Sequence, residues 1–290
     1  MALRYLETIL ERMELDSVSS RAKQVKAVFG EKNVTFLAGS IAYSAFVSLV
    51  PLLLFLFLVV SVLGAPELQA RIVEVATQSV SPAVGGVIEV MIESQRDAGT
   101  GSTIGATVIG ALVLVWGAIK VFRGLDTAFS TIYETTAEDT FLGQIKKSLL
   151  VLATLTIGVV AMVGATSVVA FLSAIPFLGL LVPLVLVAAL VVAFLPMYYL
   201  FPDVDHEPRD VLPGTVLAAV GWTLLQVGFQ VYASLGGEES NLIASILLFV
   251  TWLYFTGVVL LLGATYNAVL LEDRRVDSDS RADATDQAGA

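Results

Sequence analysis

Long apolar runs separated by short polar ones organise this chain. Apolar residues dominate about Phe36 to Leu63, Ser102 to Ile119, Ser148 to Leu172, Phe177 to Leu200, Val211 to Leu235 and Leu242 to Leu271. A helix crosses the hydrocarbon of a bilayer with roughly 20 such residues. No run carries a charge near its centre, so the pattern predicts six transmembrane helices. Pro213 falls in the first turn of the fifth, after a candidate cap at Asp210, which suits a helix start. Pro183 and Pro196 fall inside or near the end of the fourth, where a missing N–H favours a kink.

The flanking segments have their own periodicity. In residues 1–32, Tyr5, Leu6, Ile9, Leu10 and Met13 recur at helical spacing, and Ala22, Val25 and Phe29 repeat the pattern. That predicts cytoplasmic amphipathic helices, docked on the bundle or lying in the membrane interface. Residues of about 65–100 are too short and too polar to cross. In their second half Val84, Val87, Ile88, Met91 and Ile92 share one helical face, so this stretch reads as an outside amphipathic helical insertion broken before Pro82. It is either a cap on the spans or a lid over a cavity mouth. Residues 33–271 then form the membrane domain, and 272–290 an acidic, disordered cytoplasmic tail.

Orientation follows from Lys and Arg. Of the 16 such residues, all but Arg71 and Arg96 fall on one side if the spans alternate, which places both termini in the cytoplasm. The charges of both signs through the N-terminus do not make a secretory signal.

Composition narrows the class further. The 290 residues are 57% hydrophobic and 14% charged, with mean hydropathy +0.85, which suits an all-α polytopic cell-membrane protein rather than a soluble domain. The net charge of −10 and the absence of a basic cluster argue against nucleic acid as a partner. With no cysteine there are no disulfides, thiolate metal sites or thiol nucleophiles.

Candidate chemistry sits inside the spans. Ser40, Ser44, Ser48 and Pro51 recur at spacings of 4, 4 and 3 on the first helix, with Tyr43 beside them. Gln226 and Gln230 follow Trp222 on the fifth, while Thr256 and Asn267 lie with Ser245, Trp252 and Gly263 along one side of the sixth. Such stripes are expected to turn inward, because hydroxyls and amides lack partners in lipid. Packing between helices and a solute-lining cavity would use the same residues, and the sequence leaves both open. Proton pumping and voltage sensing are disfavoured, since both usually need deep ionisable groups.

Two polar loops complete the inventory. Lys120, Arg123 and Asp126, at i, i+3 and i+6, are candidate contacts for anionic lipid headgroups at the cytoplasmic surface, or an ordinary anchor with an Arg123–Asp126 pair. His206 sits among Asp203, Asp205, Glu207 and Asp210 in a loop read as a solvated acidic turn, with weak cation binding as the alternative.

The segments "AGSIAYSAFVSLVPLLLFL", "FRGLDTAFSTIYE", "YYLFPDVDHEPRDVLPGTVLAAVGWTLLQVGFQVYAS" and "LLFVTWLYFTGVVLLLGATYNAVL", in that order, resemble the YihY/BrkB family of bacterial and archaeal inner-membrane proteins. The resemblance runs from about Asn33 to Leu271 and implies a six-helix membrane bundle of unsettled biochemical role. Two positions depart from the family pattern. Ser130 stands where Asn is common, and Leu242-Ile243 follow Asn241 where Tyr-Gly is frequent. A ribonuclease BN-like label has travelled with the family, but metal-dependent phosphodiester hydrolysis needs clustered His and Asp ligands, and this chain has one histidine. No enzymatic site, metal or cofactor is therefore expected. The expectation is a transporter-like protein passing a lipid or small solute along the Ser44, Gln226 and Asn267 faces, with a membrane scaffold or envelope assembly factor as the alternative. Beyond the lipid bilayer, a small-molecule substrate and self-association remain open as partners.

Overall fold

The computed structural model describes residues 19–62, 120–135, 143, 153, 178–235 and 242–289. All regular elements among these are helices: α1 (19–31), α2 (Val34–Val62), α3 (120–133), α4 (Leu178–Leu200), α5 (Leu212–Leu235) and α6 (Leu242–Gly289). Helices α2, α4 and α5 begin and end within two residues of the first, fourth and fifth predicted spans, and α6 begins where the sixth does. The stretches Leu212–Tyr232 and Ile246–Val276 are long and apolar enough to cross a membrane, while Val34–Ser48 and Leu184–Leu200 are shorter apolar helices. The second and third predicted spans, the outside insertion and residues 1–18 lie outside the described residues.

Contacts divide the chain into two compact units. One comprises Met1–Leu37, Asp126–Leu224 and Val258–Ala290; the other comprises Ala38–Leu125 and Leu225–Gly257. In the first unit the core gathers Phe129, Tyr198, Phe201, Val211, Ala218 and Leu261, all nearly or wholly buried. The Phe129 ring centres a small aromatic cluster, 5.6 Å from both Tyr198 and Phe201 and stacked at 6.3 Å on Tyr133. Such offset and edge-on contacts favour one packing over the alternatives. In the second unit Ala38 on α2 lies against Gly257 on α6, where an added Cβ would fall 3.1 Å from the Ala38 carbonyl oxygen. Small residues at that crossing let two helices approach to backbone distance.

Two left-handed residues punctuate the first unit. Asn33 (φ 50°) follows α1, and its carbonyl accepts the N–H groups of Phe36 and Leu37, so one residue ends one helix and opens the next. Asparagine tolerates this conformation better than most side chains. Glu134 (φ 57°) follows α3, and the Thr135 N–H reaches back to the Ser130 carbonyl at 3.0 Å, the Schellman closure of a helix end. Lys32 pairs with Glu134, tying the elbow after α1 to the end of α3. A further pair joins Arg21 of α1 to Asp273 of α6 at 3.6 Å. Val25 is buried while Ala22 is exposed, so α1 packs through a narrower stripe than its sequence pattern implies.

The tail corrects an expectation. Instead of a disordered coil, residues 272–289 continue α6 without a break. Between Leu271 and Gly289 there is neither proline nor glycine, and extending an existing helix avoids the cost of nucleation. Both prolines of the fourth span also lie inside an unbroken α4.

Candidate functional site

Helix α5 begins without a side-chain cap of its own. Val211 occupies the position before its first residue, Leu212, and supplies no side-chain oxygen; Pro213 has no N–H to cap. The cap arrives from α6. Asn267 Oδ1 accepts the Gly214 N–H at 2.7 Å, and Asn267 Nδ2 donates to the Val211 carbonyl at 2.8 Å. Both ends of a wholly buried amide are thereby satisfied. Asp210, expected as the cap, turns the other way: its Oδ2 accepts the Glu207 N–H at 2.9 Å and its other oxygen pairs with Arg274. The backbone N–H of Glu207 and then the Arg274 guanidinium hold the Asp210 carboxyl below the usual range.

The approach that brings Asn267 into reach depends on two glycines. A Cβ on Gly214 would fall 2.5 Å from Asn267 Oδ1 and onto the Gly263 carbonyl. A Cβ on Gly263 would fall 2.6 Å from the Tyr198 hydroxyl and 3.1 Å from Ala218 Cβ. Tyr198 itself donates to the Leu260 carbonyl of α6 at 2.5 Å. Thr215 and Thr265, both fully buried, return their hydroxyls to the carbonyls of Val211 and Leu261 on their own helices, at 2.7 and 2.8 Å.

Several buried hydroxyls, taken unit by unit, have no partner. Ser130 Oγ and Tyr133 Oη on α3 are buried without a hydrogen bond, as are Thr135 Oγ1 and, in the other unit, Thr256 Oγ1. Tyr133 lies against the Asn267 amide without the alignment of a hydrogen bond. An unpaired buried hydroxyl costs about 1–3 kcal/mol, so each of them calls for an explanation.

The residues expected from the sequence divide by position. Asn267 is buried, Thr256 and Gln226 are half-buried, and Gln230 is exposed. On α2, Ser44 and Ser48 are half-buried, with Ser48 Oγ donating to the Ser44 carbonyl at 2.7 Å. Ser40 and Tyr43 are exposed, contrary to the inward stripe. The buried face of α2 is Val34, Ala38, Ile41 and Ala42, because close packing against Gly257 selects alanine over serine. Pro51 lies within α2. Lys120 and Arg123 are exposed, but Asp126 is 4% exposed rather than a surface headgroup contact. The reason is helical geometry: the exposed stripe of α3 is Arg123, Thr127, Thr131 and Glu134, which turns position 126 inward with Phe129 and Ser130. The sequence marks Ser130 only as a departure from the family pattern and singles out neither Tyr133 nor Tyr198. The i, i+4, i+7 recurrence of Asp126, Ser130 and Tyr133 was the signal available for the first two.

In the acidic loop, His206 Nδ1 lies 2.5 Å from the Val204 carbonyl and its ring sits edge-on to Tyr199 at 5.2 Å. Glu207 pairs with Arg209 at 2.7 Å. No group of three His, Asp or Glu residues able to hold a metal occurs among the described residues.

Every regular element among the described residues is a helix, and two are apolar and long enough to cross a bilayer, as expected of a membrane protein. The chain belongs to the BrkB family: the family model described as "Virulence factor BrkB" matches residues 25–288. A UPF0761 membrane protein of Nitrosospira multiformis is 29% identical over 89% of this chain and 66% of its own length. A UPF0761 membrane protein of Cronobacter sakazakii is 24% identical over 88% of this chain and 89% of its own length. The putative ribonuclease-like protein YfkH of Bacillus subtilis is 28% identical, but over only 31% of this chain and 34% of YfkH. The chain thus spans about a third of YfkH and just under two thirds of the Nitrosospira relative. No solved structure matches.

Proposed function

We propose that this chain is a multi-pass membrane protein with both termini in the cytoplasm that passes a lipid or small polar solute along the uncommitted polar faces of its helices, without enzymatic chemistry. One observation carries the reading: the Thr256 hydroxyl, within a membrane-length apolar stretch, is buried with no partner. A hydroxyl in that setting is costly unless water or a solute reaches it. Gln226, half-buried on α5, and Ser44, on α2, would serve the same path. The Asn267 amide is spent on α5 and is not free for a solute.

The test uses the absence of native cysteine. Single cysteines at Ser44, Gln226, Thr256 and Asn267 are challenged with a water-soluble thiol reagent in membranes, alongside flux assays in vesicles. Labelling at Thr256 and Gln226 with protection at Asn267 is expected, together with flux above that of empty vesicles. Protection at Ser44, Gln226 and Thr256, with no flux, would refute the reading.

A scaffold or assembly factor is the second reading. The closely packed glycines and the committed Asn267 amide favour it, because they spend polar and small residues on holding helices together. It expects a partner that copurifies through α1 or the outside segment.

A further inference from the structure

Helices α2, α3, α5 and α6 each pass from one compact unit into the other, while α4 stays within the first. Membership changes after Leu37 on α2 and after Leu125 on α3. Each of these two helices holds one glycine, and it falls at that change: Gly39 just past Leu37, and Gly124 directly before Leu125. Helix α4 has no glycine beyond its second residue. Glycine weakens a helix interior relative to alanine, so its placement calls for a reason. Close packing supplies one inside the first unit, where an added Cβ would lie 2.1 Å from a carbonyl oxygen at Gly214, 2.9 Å from Val259 at Gly221 and 2.4 Å from a carbonyl oxygen at Gly263. No such reason holds at the change on α2 and α3. Around Gly39 an added Cβ meets nothing within 4 Å, and at Gly124 it meets only Ile41 Cγ1, at an ordinary 3.8 Å. Gly30 is equally open, but it lies in the last turn of α1, where the helix end accounts for it.

We propose that Gly39 and Gly124 are hinge positions at which α2 and α3 bend, letting the two compact units reorient as bodies. Hinges of this kind are a few positions, often small residues, that absorb the change in φ and ψ. Gly39 is followed by Ser40, and Gly/Ser pairs are among the places where helices kink. On α6 the change follows Gly257, which keeps its close contact with Ala38 of α2, and on α5 it falls between Gly221 and Gly228. The aromatic cluster around Phe129 and the Asn267 cap both lie within the first unit, so neither opposes a bend at the change.

The hinge goes beyond solute handling, because it assigns a motion to the protein whether or not anything is carried. With no native cysteine, spin labels can be placed at will. Lys23 and Thr131 are exposed in the first unit, and Val47 and Leu247 in the second. Cysteines at these positions are labelled in pairs on the full-length protein in lipid vesicles, and the distance distributions are measured by double electron–electron resonance. The pairs within a unit, 23 with 131 and 47 with 247, should give narrow distributions, and the pair 131 with 247 a broad or double one. Gly39→Ala combined with Gly124→Ala should narrow that third distribution by about half, as stiffening a hinge would, and leave the other two unchanged. Gly30→Ala should alter none of the three. If the double variant does not fold, the two single variants decide. A third distribution as narrow as the first two, or one whose width no substitution at Gly39 or Gly124 changes, would overturn the hinge. No flux is measured, so the hinge and the transport reading fail separately.

Discussion

Asn267 on α6 accepts the N–H of Gly214 on α5 at 2.7 Å, and through that bond one helix caps another across 53 residues of sequence. Helix starts are ordinarily closed by a Ser, Thr, Asp or Asn at the cap position itself. Here Val211 holds that position, and the oxygen comes from a neighbouring helix. The cap therefore measures whether α5 and α6 are docked.

Replacing Asn267 with leucine should lower stability by about 1–3 kcal/mol, because the Gly214 N–H is left buried and unpaired. Asn267→Asp keeps the acceptor but loses the Nδ2 donation to Val211, and should fall between wild type and Asn267→Leu. Unfolding in detergent provides the measurement. A neutral Asn267→Leu variant would show that the cap adds nothing.

Glycine substitutions should separate sharply by position. Gly263→Ala places a methyl group 2.6 Å from the Tyr198 hydroxyl, and Gly214→Ala places one against the Gly263 carbonyl. Both should cost about 1–3 kcal/mol or more, as overpacking does. Around Gly39 and Gly228 an added Cβ meets nothing within 4 Å. Alanine at those helical positions should be neutral or stabilising by about 0.5–1 kcal/mol. Expression level and Tm of the four variants check the ordering; equal losses at all four would contradict the close crossing.

Much of the fold is legible in the sequence, and the reason is physical. Apolar run length alone fixes α4 and α5 to within a residue or two, because the cost of unpaired backbone in lipid leaves few alternatives to a helix. Facing is harder to read. Ser40 and Tyr43 mark a polar stripe on α2, yet Ala38 and Ala42 take the buried side, since closeness of approach rather than polarity decides which face packs. Asp126 shows the same limit: its surface reading takes a helical extension at the membrane face to be exposed at position 126, whereas α3 is buried on most of its circumference. Asn267 is recognisable as an inward amide, but its partner is a backbone terminus, which no side-chain pattern reveals.

Asp210 gives a pH dependence whose sign is fixed. Its folded pKa is lowered from the ordinary carboxylate value of 3.8, first by the Glu207 N–H and then by Arg274. The stabilisation is therefore present above that value and is lost as pH falls through the lower folded one. Because Arg274 is largely exposed, solvent screening keeps the effect within about 1 kcal/mol. Asp210→Asn should remove this acid-limb dependence while leaving the α5 start intact, since Asn267 supplies that cap. An unchanged acid limb in the variant would disprove the assignment.

The Lys32–Glu134 pair joins two left-handed residues' neighbourhoods, at Asn33 and at Glu134 itself, so it should fix the elbow between α1 and α2 more than it stabilises the whole protein. The hydrogen bond with Glu134 raises the Lys32 pKa, and the same bond lowers that of Glu134. The tie is accordingly complete between the two titrations, lost in acid as Glu134 protonates and lost in strong base as Lys32 deprotonates. Added salt should weaken it as well, because Glu134 is exposed. Lys32→Glu should speed amide exchange at Phe36, Leu37 and Thr135, whose N–H groups are bonded across the two junctions. The double exchange Lys32→Glu with Glu134→Lys should restore much of the lost protection, and high salt should erase the difference between single and double variants. Protection that responds to neither reversal would mean that backbone closure alone holds the elbow and that the ion pair is incidental to it.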